Sequence, residues 1–326
     1  MFDGFKIIQP GSFYDIAYDN IKPTLYYPNY IETNKEEFYH KLESYFRGYE
    51  GKTIGVHLSG GLDSSIIIGL LNHFDIPFYL VGLISDRFEF RTERTVQEKL
   101  ARFGRDSVLI NMDSYPAYSN LSMAPLTQLP DATFKGWAAS KAVAATFASL
   151  GVQVVFTGQG GDTIFVDRIP NHEEKCSFNI DSEFYLHFDA TVIYPEYQIS
   201  LVSPFADKTF INSIYSLRQG ENQDYLKKWA RRFFADVLPR ELVEYTYAAD
   251  FFGTSMSGLD RAKPEIEKLF KIAHKVSGHA LFAPASTKEF LAKDVFSFEY
   301  QDYIEYCDLL ALAVWYNSLA REGYVQ

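Results

Sequence analysis

Cysteine is scarce in this chain. Only Cys176 and Cys307 occur in 326 residues, too few for a disulfide framework, so a reducing compartment is the default. No apolar run approaches the length needed to cross a bilayer, and the opening MFDGFKIIQPG lacks the layout of a signal peptide. The expectation is a cytoplasmic protein with no membrane partner. Positive charge is in deficit as well: 31 basic against 42 acidic residues leave a net charge of −11, which argues against nonspecific nucleic-acid binding. Repeats and low-complexity tracts are also missing. Apolar residues make up 47% and aromatics 17% of a chain long enough for one large α/β domain or two smaller ones.

The densest local signal is Lys52 to Phe74, KTIGVHLSGGLDSSIIIGLLNHF. Thr53, Ile54, Val56 and Leu58 give it strand character, Gly60 and Gly61 break the strand, and Ser64 to Phe74 resumes as an apolar helical run. A strand feeding a helix through glycines leaves backbone N–H donors and the positive end of the helix dipole facing outward. That is an anion site, most naturally for phosphate. Ser59, Ser64 and Ser65 add hydroxyls. Asp63 would repel phosphate unless a hard cation such as Mg²⁺ lies between them.

Before this unit, Pro10-Gly11, Pro23 and Pro28 punctuate short apolar stretches that suggest a small hairpin. Thr33 to Tyr49 reads as an amphipathic helix with Thr33 as N-cap. After it come strands at Pro77–Ser85, Ser107–Ile110 and Val152–Phe156, and helices at Arg91–Phe103 and Lys135–Leu150. Strands alternating with helices imply a doubly wound parallel sheet with right-handed crossovers. Thr157 to Phe165, TGQGGDTIF, repeats the pattern of strand, glycines and aspartate. Ligands of open α/β sheets lie beyond the strands' carboxyl ends. Both loops are therefore expected to face one crevice, with Asp63 and Asp162 on opposite sides of a metal–phosphate group. Beyond Asn171 strand signals fade. Phe184–Tyr194, Lys208–Leu217, Asp224–Val237, Arg261–Val276 and Lys288–Leu319 read as helices forming a layer on the sheet, with a loop at FFGTSMSGL, residues 251–259.

Several other patterns carry less. Gly51-Lys52-Thr53 precedes its strand and has Phe46 where a phosphate-binding P-loop needs glycine. His172, Glu173 and Cys176 have metal-like spacing in a loop better read as a solvated turn. His57 is expected in the core or behind the site, and Arg231 and Arg232 on one exposed or interfacial helix face.

SGGLDSS resembles the pyrophosphate loop of the ATP pyrophosphatases, and LSGGLDSS with TGQGGDTIF resembles the synthetase domain of asparagine synthetase. LVSPFADKTFINSIYSL (201–217) and Tyr225 to Leu242, ending in VLPREL, resemble later segments of that family. Residues 1–30 resemble the tail of its glutaminase domain, leaving 31–326 as the synthetase-like domain. The resemblance implies an α/β fold, a doubly wound parallel sheet of the adenine nucleotide alpha hydrolase-like type with a helical C-terminal layer.

It also implies a ligase that uses ATP and Mg²⁺. A carboxylate is activated as an acyl-adenylate with release of pyrophosphate, and an amine then displaces AMP. By the same resemblance Ser59, Gly60, Gly61, Ser64 and Ser65 hold pyrophosphate. Asp63 and Asp162 ligand Mg²⁺, and the backbone around Leu58, Val81, Thr157 and Gly158 holds adenosine. Gln159 stands where asparagine synthetases carry a glutamate that assists ammonia deprotonation, and an amide cannot be that base. Thr163 replaces a second acidic residue. A lysine expected after the LP turn has no counterpart in EYTYAADFFG, and Lys227 and Lys228, before the turn, are not safe substitutes.

The implied partners are a small-molecule or peptide carboxylate and a separate glutaminase or biosynthetic protein. Lasso-peptide macrolactam synthetases resemble the second loop more closely. A non-catalytic or partner-dependent nucleotide-binding subunit is the second reading, and a sulfur-transfer or tRNA-modifying pyrophosphatase is disfavoured by the acidic charge, the lack of a catalytic cysteine pair and the match to the second loop.

Overall fold

The computed structural model describes residues 12–17, 20–25, 32–85, 87, 90–127, 130–166, 188–244 and 252–325. The zinc-like trio His172, Glu173 and Cys176 lies outside these, as do residues 245–251 of the EYTYAADFFG segment.

Strands β1 (Ser12–Ala17) and β2 (Asn20–Leu25) pair antiparallel. This is a hairpin in the expected region, its second strand reaching Thr24 and Leu25 of the TLYY stretch, while FKII lies outside the described residues. Helix α1 (Lys35–Arg47) is capped by Asn34, whose side chain accepts from Glu37 N at 3.0 Å, one residue beyond the predicted Thr33.

The central sheet is built from β3 (Ile54–His57), β4 (Tyr79–Ile84), β5 (Ser107–Asn111), β6 (Val154–Phe156) and β7 (Ser200–Val202). The order is β5-β4-β3-β6-β7 and every pairing is parallel. From β3 the chain moves outward through β4 to β5, then returns to β6 on the other side. The direction of winding therefore reverses between β3 and β6. Helices α2 (Leu62–His73), α3 (Arg91–Leu100), α4 (Trp137–Ser149) and the short α5 (Gly161–Val166) connect the strands. Strand β7 was not foreseen. Its three residues run directly into Ser203-Pro204, too short a stretch to show periodicity.

Side-chain alternation fixes which layer each face meets. On β6, Val154 and Phe156 join one core cluster with Phe46 of α1 and Ile67 of α2, while Val155 joins a second with Phe147 of α4. Five helices follow: α6 (Lys208–Leu217), α7 (Lys228–Phe233), α8 (Arg240–Glu244), α9 (Phe252–Ser277) and α10 (Pro284–Ala292). Then comes α11 (Tyr300–Arg321).

The helical layer is as expected in kind, with four corrections. In the predicted Phe184–Tyr194 helix, the described part is a π-helical turn at Asp189–Ile193 that runs into a 3-10 turn at Tyr194–Tyr197. The segment placed as a loop at 251–259 is the start of α9 from Phe252 onward, with Gly258 lying close against Ala117. The predicted Lys288–Leu319 helix is broken between Ala292 and Tyr300, where Asp294 caps a short 3-10 turn and a Glu299–Asp302 capping box starts α11. Only Lys228–Phe233 of the predicted Asp224–Val237 helix is α-helical, and its late start follows from Lys227, which adopts a left-handed conformation, φ 51° and ψ 40°.

Candidate functional site

The two glycine loops leave the carboxyl ends of β3 and β6, the neighbouring strands between which the winding reverses. An open α/β sheet binds ligands at such a switch point. In the first loop Ser59 and Gly61 are exposed and Gly60 is buried against the backbone of Glu93. Helix α2 begins at Gly61 with no side-chain cap. Its first N–H groups are therefore left to the crevice, as an anion cradle requires.

The serines divide by role. Ser59 Oγ lies 2.6 Å from Ser64 Oγ and accepts from Gly61 N at 3.2 Å. Ser65, fully buried, donates to Gly61 O at 2.6 Å, and Ser64, also buried, bonds the same carbonyl at 3.3 Å. Their hydroxyls brace the loop from beneath, whereas Ser59 is exposed.

The second loop rests on the first. A Cβ on Gly158 would lie 2.6 Å from Ser64 N, and one on Gly161 would lie 2.3 Å from Asp63 Cγ. Only glycine permits that approach. Ser203 Oγ donates to Gln159 O, and Thr157 N donates to Val202 O at 3.0 Å, so the unforeseen β7 and its following turn hold the second loop. The Gln159 side-chain oxygen is buried without a hydrogen-bond partner. At the far end of α5, the buried Arg218 guanidinium donates to Ile164 O.

The two aspartates meet at a residue that sequence reasoning set aside. Lys227 Nζ lies 2.8 and 2.6 Å from the Asp63 oxygens and 2.7 Å from Asp162 Oδ1. The lysine and Asp63 side chains are 12% and 15% exposed, whereas Asp162 is 85% exposed, so one carboxylate is anchored and the other open to solvent. Burial pushes the Asp63 carboxyl up, Asp162 adds to this, and Lys227 and Arg231 oppose it. Burial alone would lower Lys227, but the two carboxylates outweigh it and hold the ammonium above its ordinary value.

The left-handed backbone at Lys227 turns its side chain back to the crevice from the start of α7. A lysine at a helix start following Asp224 was the available signal, but its orientation depends on a φ that the sequence does not specify. Lys228, its neighbour, donates its backbone N to Asp224 Oδ2 at 2.8 Å.

Other predicted residues lie around this centre. Leu58 and Val81 are buried, and Leu58 N donates to Val81 O at 2.9 Å. Leu58 O accepts from Gln97 Nε2 at 2.8 Å, and the same amide reaches Leu83 O at 2.8 Å. These peptide groups tie the sheet to α3, and Gln97, buried and not anticipated, is the brace. His57 sits behind the loop as expected, its ring stacked on Phe147 and its Nε2 2.5 Å from Tyr194 OH. Burial pushes it down to about 4. The arginine pair does not share a face. Arg231 is buried, with Nε donating to Leu226 O at 2.8 Å and Nη1 to Leu242 O, while Arg232 is exposed.

Two hard-oxygen carboxylates from separate loops converge on a point already held by a cation, beside an uncapped helix start. That donor set fits Mg²⁺ with a nucleotide phosphate, which needs one or two carboxylates and takes its other ligands from phosphate and water. Among the described residues no cluster of three or more metal-binding side chains exists, so a metal cage made by protein alone is not present there.

Fold and site together define a doubly wound parallel-sheet protein with an uncapped helix start and two converging carboxylates at its switch point. Residues 49–175, which carry both glycine loops, match the family model for asparagine synthase. No curated protein matches the chain. Among solved structures, the chain is similar to the NMN synthetase from Francisella tularensis, at 13% identity and a TM-score of 0.40, over 88% of this chain and 97% of that one. It is also similar to the NH3-dependent NAD synthetase from Campylobacter jejuni, at 12% identity and a TM-score of 0.37, over 81% and 96% of the two chains. Among the described residues no helix is long and apolar enough to cross a membrane.

Proposed function

We propose that the chain is an ATP-dependent ligase that forms amide bonds by activating a carboxylate as an acyl-adenylate. The observation that carries this reading is the convergence of the two glycine–aspartate loops at the switch point, with the uncapped start of α2 beside them. The match of residues 49–175 to asparagine synthase supports an ATP-using amidating ligase.

In this reading the uncapped N–H groups at the start of α2 receive the β- and γ-phosphates, and Ser59 adds a hydroxyl. Asp63 and Asp162 would hold Mg²⁺, which when bound would supply charge neutralisation for the departing pyrophosphate. Lys227 adds a second positive charge at the same place, where charge develops as the α-phosphate bond breaks. The crevice holds acid and α-phosphate together, which converts a bimolecular attack into a local one. The acyl-adenylate then passes its acyl group to an amine, and AMP leaves. Gln159 cannot take the amine's proton. Its unpartnered oxygen is instead an acceptor that can orient an N–H of the amine.

The test is isotope exchange between pyrophosphate and ATP in the presence of Mg²⁺ and panels of amino acids and peptide acids. Exchange that depends on the acid supports adenylation. Full exchange by Asp63→Asn would sink the mechanism. Adding ammonia, a peptide amine or a separate glutaminase to the same assay reads the second half-reaction.

A further inference from the structure

We infer that Lys227 is a tethered counter-ion that reserves the aspartate pair for a divalent cation arriving together with a nucleotide's phosphates, so that the chain excludes the free ion. This rests on the proposed reading of Asp63 and Asp162 as a metal–phosphate pair.

An ammonium has three N–H donors and no acceptor. Lys227 Nζ meets three carboxylate oxygens, two on Asp63 and one on Asp162, at 2.8, 2.6 and 2.7 Å. Its donors are fully used. A divalent ion drawing on the same oxygens would hold them at about 2.0–2.1 Å and would occupy the same point. The two cations therefore compete for one place.

Displacing Lys227 needs somewhere for it to go. Its side chain is only 12% exposed, and its backbone, held left-handed with Lys227 N donating to Asp224 O at 3.0 Å, keeps the chain aimed into the crevice. A free hydrated ion brings cationic charge and only neutral water as acceptor, so the displaced ammonium is left beside a dication with no anionic partner to replace the carboxylates. A nucleotide brings phosphate oxygens, which accept from the ammonium as it leaves the carboxylates. Metal and nucleotide binding are then positively coupled through Lys227. Asp162, 85% exposed, is the carboxylate that can swing away first, and Asp63, anchored beneath the second loop, stays.

The experiment follows free Mn²⁺ by electron paramagnetic resonance on the intact chain, with and without a non-hydrolysable ATP analogue, alongside circular dichroism. In the wild type, Mn²⁺ should bind at least tenfold more tightly with the analogue than without it. In Lys227→Met, Mn²⁺ should bind without nucleotide at least tenfold more tightly than in wild type, and the dependence on the analogue should shrink. Lys227→Gln, which keeps a hydrogen bond but no charge, should behave as Lys227→Met. If neither variant folds, the wild-type comparison decides.

Equal Mn²⁺ affinity with and without a bound analogue would overturn the counter-ion role and leave the nucleotide site standing. So would variants that match the wild type. Failure of a fluorescent ATP analogue to bind the folded wild type at any Mn²⁺ concentration would overturn the proposed function, and this inference with it.

Discussion

Placing a methyl group between the two glycine loops is the sharpest perturbation the geometry offers. A Cβ at Gly158 would lie 2.6 Å from Ser64 N and 2.9 Å from the Asp63 carbonyl carbon. Both atoms are backbone in the first turn of α2 and cannot rotate away. Ordinary contact begins near 3.4 Å, so Gly158→Ala must part the loops by about 0.8 Å.

Overpacking of this kind costs about 1–3 kcal/mol. At about 2 °C per kcal/mol in a chain of this size, the melting midpoint should fall by about 2–6 °C. Gly61→Ala is the matched control. Its Cβ would approach only Ser59 Oγ, at 3.4 Å, and its backbone, φ −78° and ψ 164°, suits alanine. An N-cap glycine exchanged for alanine costs about 0.5–1 kcal/mol, so its midpoint should fall by only about 1–2 °C. Differential scanning calorimetry of the two variants reads the difference directly. Equal midpoints would refute the contact between the loops, and with it the shared crevice.

Two further outcomes follow from buried polar groups. Gln97→Leu removes the amide that serves Leu58 O and Leu83 O, leaving two inner carbonyls without that donor, and urea unfolding should register a loss of about 2–4 kcal/mol. A loss under about 0.5 kcal/mol would mean the sheet does not depend on that brace. Burial pushes Asp189 up from 3.8 to about 6, so the native state holds a proton there that the unfolded chain has released. Its contribution to stability is present below pH 3.8 and lost as pH rises through 6. Asp189→Asn should therefore gain on the wild type by about 3 kcal/mol between those limits, and a pH-independent difference would refute it. Burial of His57 acts with the opposite sign between about pH 4 and 6.5, so the two nearly cancel in the wild type.

Much of the site was legible because its signals are local. LSGGLDSS and TGQGGDTIF each place glycines directly after an apolar β-branched run, and the peptide geometry of a strand–turn–helix needs little else. The α1 cap was missed by one residue, since Thr33 and Asn34 offer similar oxygens and only the chain's path selects between them. Strand β7 escaped because three residues carry no period, and its place is set by pairing with β6. The start of α9 was misread because Gly253 and Gly258 resemble loop punctuation, whereas Gly258 is needed where the helix presses on Ala117.

The sequence by itself determined the pair of glycine–aspartate loops, the alternation that makes the sheet parallel, and the expectation that Asp63 and Asp162 face each other. Local backbone preference and hydrophobic periodicity act over a few residues, and these features ask for no more. Only the tertiary structure decided that Lys227, 164 positions from Asp63, completes the site with all three of its donors. That contact depends on a left-handed backbone at one residue and on the packing that carries α7 over the crevice. Neither leaves a periodic mark in the sequence.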